Sequence, residues 1–250
     1  MMPTVKEVPR ALLAPMLDFN LARRLMDFAA LAYEPNPGPD IEVIRSKKTN
    51  ARAIIGRDGN CIVVGFKGSR QVKDFVQDAK FIRKDIGRGM AVHEGFFEDV
   101  ESIVVEIATV VRGLNRPLLL CGHSLGADEA ILFAWLCVKI NLPVHAVYAF
   151  APARPGNAAF AAAYNDALGD RTFCFVNRDD PVPMLPPLSF GARRCGQIVF
   201  WTGRKWKLNP TLVRMAWMNL RGAWNSWRHG RLAFLPNHIE VRYIDNLAHA

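Results

Sequence analysis

Residues 118–127 read LLLCGHSLGA, and few stretches leave a chain so little choice of fold. The run LLLC is too short for a helix and apolar on every residue, which is the pattern of a parallel strand buried on both faces. Ser124 follows between Gly122 and Gly126, and an apolar helix then runs to about Ile140. A strand that passes directly into a helix through G-x-S-x-G must turn so tightly that the serine backbone is strained and its neighbours must be glycine. The turn would lift the Ser124 hydroxyl clear of the sheet and aim the amides of the helix N-terminus at developing negative charge. The bare pattern arises by chance in roughly one chain in ten of this length. Its context is therefore what carries the argument.

The flanking segments supply that context. LDFNLARRLMDFAALA at 17–32 spaces Leu21, Leu25 and Phe28 as one helical face, and NPGPD at 36–40 ends it. Residues 51–66 read as a hairpin turning at Asp58-Gly59, and 96–114 as a helix stopped by Gly113. Strands are predicted at 145–152, 172–177 and 197–201, with helices at 156–167 and 211–228. Strands alternating with helices imply an α/β fold, a mainly parallel central sheet with helices on both faces. No repeat or linker interrupts the 250 residues, so one domain is expected over 1–250. Residues 1–40 form an N-terminal helical extension of it, and 202–232 a basic, Trp-rich helical insert.

A serine nucleophile needs a base, and the base needs an acid that fixes its tautomer. In a strand–turn–helix hydrolase the chain order is serine, acid, histidine, with the acid in a loop beyond a later strand. TFCFVNRDDPVPMLPP offers Asp179 and Asp180 just after the strand ending at Asn177. Asp128, one turn past Ser124 on its helix, is expected at the surface. Of the later histidines, His229 lies among arginines and His249 is penultimate, where chains usually fray. His238, ahead of the alternating run IEVRYI, is the best anchored of the three.

At this point the residues resemble a family. GFKGSR at 65–70, HEGF at 93–96, GHSLGA, FAPARPGN at 150–157, VNRDDPVPMLPP and HIEVRY are similar, in order, to the motifs of the class 3 (fungal-type) lipases, which have the α/β-hydrolase fold. The resemblance spans about 50–245. It implies Ser124, Asp180 and His238 as a catalytic triad, selecting Asp180 over Asp179. It also implies an oxyanion hole made by Ser69 and the backbone N–H of Leu125. The implied activity is that of a lipase or esterase, a serine hydrolase cleaving lipid acyl esters through an acyl-enzyme, with no metal or cofactor required. Lys67 stands where the family usually has arginine, Ala151 where it has glycine, and Pro152 one place early. His93 precedes the nucleophile and reads as structural.

Charge is distributed unevenly. The formal net charge is +9, yet no acidic residue lies between Asp180 and Glu240, where nine basic ones and five of the six tryptophans fall. Within 211–228, Val213, Trp217, Leu220, Trp224 and Trp227 share one helical stripe, with Arg214, Arg221 and Arg228 beside it. Three readings compete: a packed helix with a solvated basic edge, an interfacial helix meeting anionic lipid through 204–231, or a nucleic-acid contact. Helical spacing of the aromatics disfavours the last. The resemblance implies a lid over the site from the segment after the oxyanion turn, here about 70–92, and the heavy charge of that segment leads us to expect a lid that is short or partly replaced by the basic insert. No apolar run reaches the roughly 20 residues of a membrane span. Glu7 and Arg10 interrupt any signal-like core, and the five cysteines show no pairing or metal spacing. These features lead us to expect a cytoplasmic protein with reduced thiols. The rival functions are a catalytically silent lipase-like module that engages a membrane or protein partner, and a phospholipase or acyltransferase on the same scaffold.

Overall fold

A computed structural model describes residues 16–68, 83–178, 180–211 and 240–248. The chain opens with α1 (Phe19–Leu31), which Asp18 caps by accepting the N–H groups of Asn20 and Leu21 at 2.8 and 3.0 Å. Strand β1 (Glu42–Arg45) leads into the predicted hairpin of β2 (Arg52–Asp58) and β3 (Cys61–Phe66). Asp58 pairs with Cys61, so the turn residues are Gly59 and Asn60, one place later than expected. Gly59 holds φ +57, a value that glycine adopts at no steric cost. Short strands β4 (Arg83–Asp85) and β5 (Ala91–His93) precede the long helix α2 (Glu94–Leu114). Gly113 does not stop that helix: it ends at Asn115, whose left-handed φ of 46° breaks the helical path.

The predicted alternation then follows: β6 (Leu118–His123), α3 (Leu125–Lys139), β7 (Ala146–Phe150), β8 (Gly156–Asn157), α4 (Ala158–Leu168), β9 (Thr172–Asn177). Strands β10 (Ala192–Arg193), β11 (Gln197–Trp201) and β12 (Trp206–Leu208) and helix α5 (Glu240–Leu247) complete the described elements. The main sheet has the order β1-β2-β3-β6-β7-β9-β11-β12. Its five central strands, β3 to β11, run parallel, and the pairings at both edges are antiparallel. A smaller sheet orders β10-β8-β5-β4. Within the expected lid segment, 83–85 and 91–92 thus lie in a strand ladder, and Lys84 pairs with Glu101 of α2. Residues 70–82 lie outside the described residues.

Alternation along each strand divides two cores, since successive side chains face opposite sides of a sheet. Leu118, Leu120, Val147, Ala149 and Cys174 face α2, α3 and α4. Leu119, Cys121, Tyr148, Phe150, Phe173 and Phe175 face α1 and α5. Helix α1 is thus part of the second core, burying Ala22, Leu25, Met26 and Ala29 at helical spacing. Trp201 and Trp206 also join it, their rings 5.2 Å apart, with the Trp206 indole N–H donated to Asn246 O. These two tryptophans of the basic stretch are core residues. The predicted helix at 211–228 lies outside the described residues.

Candidate active site

The parallel strands deliver Ser124 and Asp180 to one edge of the sheet, their C-terminal ends, where open α/β sheets bind ligands. Ser124 follows β6 and precedes α3, with φ 59° and ψ −128°, a conformation that costs an L-residue a few kcal/mol. The surroundings enforce it. A Cβ on Gly122 would stand 2.1 Å from Gly126 O, and one on Gly126 2.2 Å from Phe66 O. Both distances are far inside van der Waals contact, so only glycine fits either place. The turn is held by Ser124 N–H donated to Phe150 O and Ala127 N–H donated to Ser124 O, both at 2.9 Å. Leu125 opens α3, so its N–H has no acceptor within the helix and is available to an oxyanion.

Asp180 stands three residues beyond β9, two strands away in the sheet from β6, and is 2% exposed. Each of its carboxylate oxygens accepts a hydrogen bond. Oδ1 accepts the Val182 N–H at 2.9 Å, and Oδ2 accepts the Tyr243 hydroxyl at 2.7 Å. The same Tyr243 oxygen accepts the Asn177 N–H at 2.9 Å, tying α5 to the end of β9. Burial, followed by the nearby Asp180 charge, pushes the Tyr243 hydroxyl well above its ordinary acidity range, so it stays a donor. The sequence reading assigned Tyr243 no role. The signal was present, since HIEVRY places a tyrosine five residues after the predicted base.

Ser69, Asp179 and His238 lie outside the described residues. The structure therefore brings Ser124, Leu125 and Asp180 to one edge of the sheet. His93 caps α2 through Nδ1, which accepts the Phe96 N–H at 3.5 Å, and its ring stacks on Phe96 at 3.8 Å. Burial pushes its pKa down to about 4, so the ring is neutral and serves the helix end.

Asp128 corrects the sequence reading. It is fully buried, not a surface residue, and its Oδ2 accepts the Ala153 N–H at 3.0 Å. Desolvation raises its pKa well above the carboxylate range. The reason is packing: α3 is the central helix of its layer and is buried almost all round. The bond braces the loop 151–154, where Ala151 holds φ 56°. That left-handed conformation is the physical reason a glycine is usual there. From the same loop, Arg154 donates to Met184 O and Pro186 O and so clamps the segment after Asp180.

This arrangement agrees with what the chain is similar to. Residues 63–190 match the lipase (class 3) family. The secreted mono- and diacylglycerol lipase A of Penicillium cyclopium is 36% identical over 144 residues, covering 55% of this chain and 47% of that protein. The secreted mono- and diacylglycerol lipase 1 of Fusarium solani is 32% identical over 155 residues, covering 58% and 46%. The chain thus spans about half the length of the curated relatives it matches. Among solved structures, the lipase of Rhizopus microsporus var. chinensis superposes with a TM-score of 0.66 at 21% identity, covering 79% of this chain and 82% of that one. A mutant form of MDLA from Penicillium cyclopium gives 0.65 at 25%, covering 84% and 95%. The α/β-hydrolase fold expected from the sequence is therefore the fold of the protein.

The cytoplasmic expectation is overturned, because the Penicillium and Fusarium relatives and a further one from Malassezia globosa are all named as secreted. Free thiols misled for a physical reason. Cys121, Cys137, Cys174 and Cys195 are buried, and burial raises each thiol's pKa, which suppresses the reactive thiolate in any compartment. By the family match over half its length, the chain belongs to the class 3 lipases.

Proposed function

We propose that this protein is a serine hydrolase that cleaves acyl esters of lipids, with Ser124 as nucleophile, His238 as base and Asp180 as the acid that orients it. The observation that carries the reading is the strained, glycine-enforced turn at Ser124 on the sheet edge that also holds a buried, doubly hydrogen-bonded Asp180. His238 precedes Tyr243 by five residues, and five residues of chain span at most about 18 Å. The Tyr243–Asp180 hydrogen bond thus tethers the base within reach of the acid. The relatives named as mono- and diacylglycerol lipases support an ester of glycerol as substrate, and their secretion supports action outside the cell.

The chemistry follows from these groups. His238 takes the Ser124 proton as Oγ bonds to the ester carbonyl carbon, and Asp180 stabilises the resulting imidazolium. The carbonyl oxygen becomes an oxyanion held by Ser69 and the Leu125 N–H. Collapse breaks the ester C–O bond, and the alcohol leaves with the proton from His238. Water then gives a proton to His238 and attacks the acyl carbon, and a second collapse returns the proton to Ser124 and frees the acid. The basic tryptophan-bearing stretch 204–231 supplies peripheral contact with anionic lipid surfaces. A fluorophosphonate probe tests the assignment: the wild type is labelled and Ser124→Ala is not. Labelling that persists in Ser124→Ala would falsify it.

A further inference from the structure

Between Asp180 and β10 the surface is apolar where surface turns are usually polar. Pro187, Leu188, Ser189 and Phe190 are exposed in succession, with Leu188 54% and Phe190 47% accessible. Lone exposed apolar residues are ordinary, but three of them side by side on one 3-10 turn (Leu188–Phe190 with the preceding proline) make a patch. Topology puts this patch at the Ser124 end of the molecule. Ser124 follows the C-terminal end of β6, β8 closely follows that of the neighbouring β7, β10 pairs with β8, and the turn immediately precedes β10. Arg154, donating to Met184 O and Pro186 O, braces the chain just before it.

Two further features suit the patch to a boundary between water and an apolar phase. The first is its backbone. Pro187 has no N–H, the Phe190 N–H is donated to Pro187 O at 3.0 Å, and the Gly191 N–H to Leu188 O at 2.9 Å. These groups are already paired when the turn leaves water, so they cost little to desolvate. The second is charge. Exposed Arg193 donates through Nη1 to Ala192 O at 3.0 Å and to Leu188 O at 3.4 Å, which holds its guanidinium against the turn. Exposed Arg83 reaches over from β4, its Nη2 3.5 Å from where a Cβ on Gly191 would stand. No acidic residue lies between Pro181 and Thr211 to offset them. On β4, Asp85 is turned to its own hairpin, accepting the Gly87 N–H at 2.7 Å.

We propose that the 187–190 turn, with Arg83 and Arg193, is a docking surface for an anionic lipid–water interface. Leu188 and Phe190 enter the boundary between headgroups and acyl chains, and the two guanidiniums bind the phosphate and carboxylate groups beside them. An apolar tip flanked by cations is the pattern of segments that lie in such interfaces, where burial of apolar area and attraction to anionic lipid act together. Docking here turns the sheet edge that carries Ser124 and Asp180 toward the lipid. The surface shares no residue with the basic stretch 204–231 and does not depend on the hydrolase reading.

Vesicle co-sedimentation of the 250-residue protein tests this, with phosphatidylcholine vesicles set against vesicles that also contain phosphatidylserine. Leu188→Ser combined with Phe190→Ser should lower partitioning onto the anionic vesicles by about tenfold or more, and Arg193→Gln several-fold. Both changes lie at exposed positions, so the thermal midpoint should stay unchanged, and Phe190→Ser alone serves if the double variant does not fold. A spin label at Phe190→Cys, in a Cys61→Ser background, should lose access to a water-soluble nickel chelate and gain access to oxygen when anionic vesicles are added. The same label at Glu106→Cys, exposed on α2, should not change. No binding by the wild type, an unchanged partition of the double variant, or a label that stays in water overturns the proposal. In the second case the lipid contact belongs to 204–231 instead. Equal binding to neutral vesicles overturns the anionic assignment. On a water-soluble short-chain ester, kcat/KM should be the same in the wild type and the double variant. Absence of turnover in both, with vesicle binding intact, would refute the hydrolase reading and leave the docking surface standing.

Discussion

At the scale of single residues, the buried polar groups decide how the site is held. Tyr243 serves two partners at once, donating to Asp180 and accepting from the Asn177 amide. Tyr243→Phe leaves a buried N–H without its acceptor and Asp180 one donor short, each a loss of about 1–3 kcal/mol. The expected result is a lowered thermal midpoint together with a several-fold fall in kcat at little changed KM, read by calorimetry and steady-state kinetics. His93 makes a different prediction. Its pKa is about 4 in the fold against 6.5 unfolded, so between these values the unfolded chain binds the extra proton. Stability from this group is fully present above pH 6.5 and is lost as pH falls toward 4, by up to about 3 kcal/mol. His93→Asn keeps an acceptor for the Phe96 amide and cannot titrate, so urea melts of the variant should show a flatter acid slope over that window. An unchanged slope would show that His93 does not set it.

At the scale of elements, the junction of β6 and α3 is the part of the molecule most completely dictated by local chemistry. Its two glycines are required because backbone carbonyls lie where a methyl would stand. Gly126→Ala should cost more than about 3 kcal/mol or force the turn open, since backbone cannot move aside as a side chain can. Loss of fluorophosphonate labelling together with a lowered melting temperature would register this, and a stable, fully labelled variant would refute it. The strands and helices around this junction were legible from hydrophobic periodicity: β9 and β11 have the predicted limits, and β6, α1 and α3 lie within two residues of theirs. Local pattern failed where a neighbour decided the outcome. Gly113 stays helical within α2 because the helix continues to a left-handed Asn115. Asp128 reads as a polar helix residue, yet the layer above α3 buries it and gives it the Ala153 amide.

At the scale of the whole molecule, charge is the property that sequence distributes and structure only arranges. All of the excess positive charge falls between Asp180 and Glu240. If this stretch meets anionic lipid, each cation near the surface adds about 1 kcal/mol, and salt screens it over a Debye length of about 8–10 Å. Co-sedimentation should therefore show binding to phosphatidylserine-containing vesicles that weakens steeply as salt is raised, and no binding to neutral ones. Salt-independent binding would point to the apolar residues instead. The sequence by itself determined the α/β alternation and the glycine-bounded turn at Ser124, because periodicity and glycine spacing are properties of neighbouring residues. Tertiary structure alone decided that Asp128 and Glu129 are buried acids, that Tyr243 holds Asp180, and that Arg45, Arg52 and Lys67 line one cavity with Leu125. Those facts depend on which elements pack together, and residues brought together from distant positions leave no mark in any local pattern.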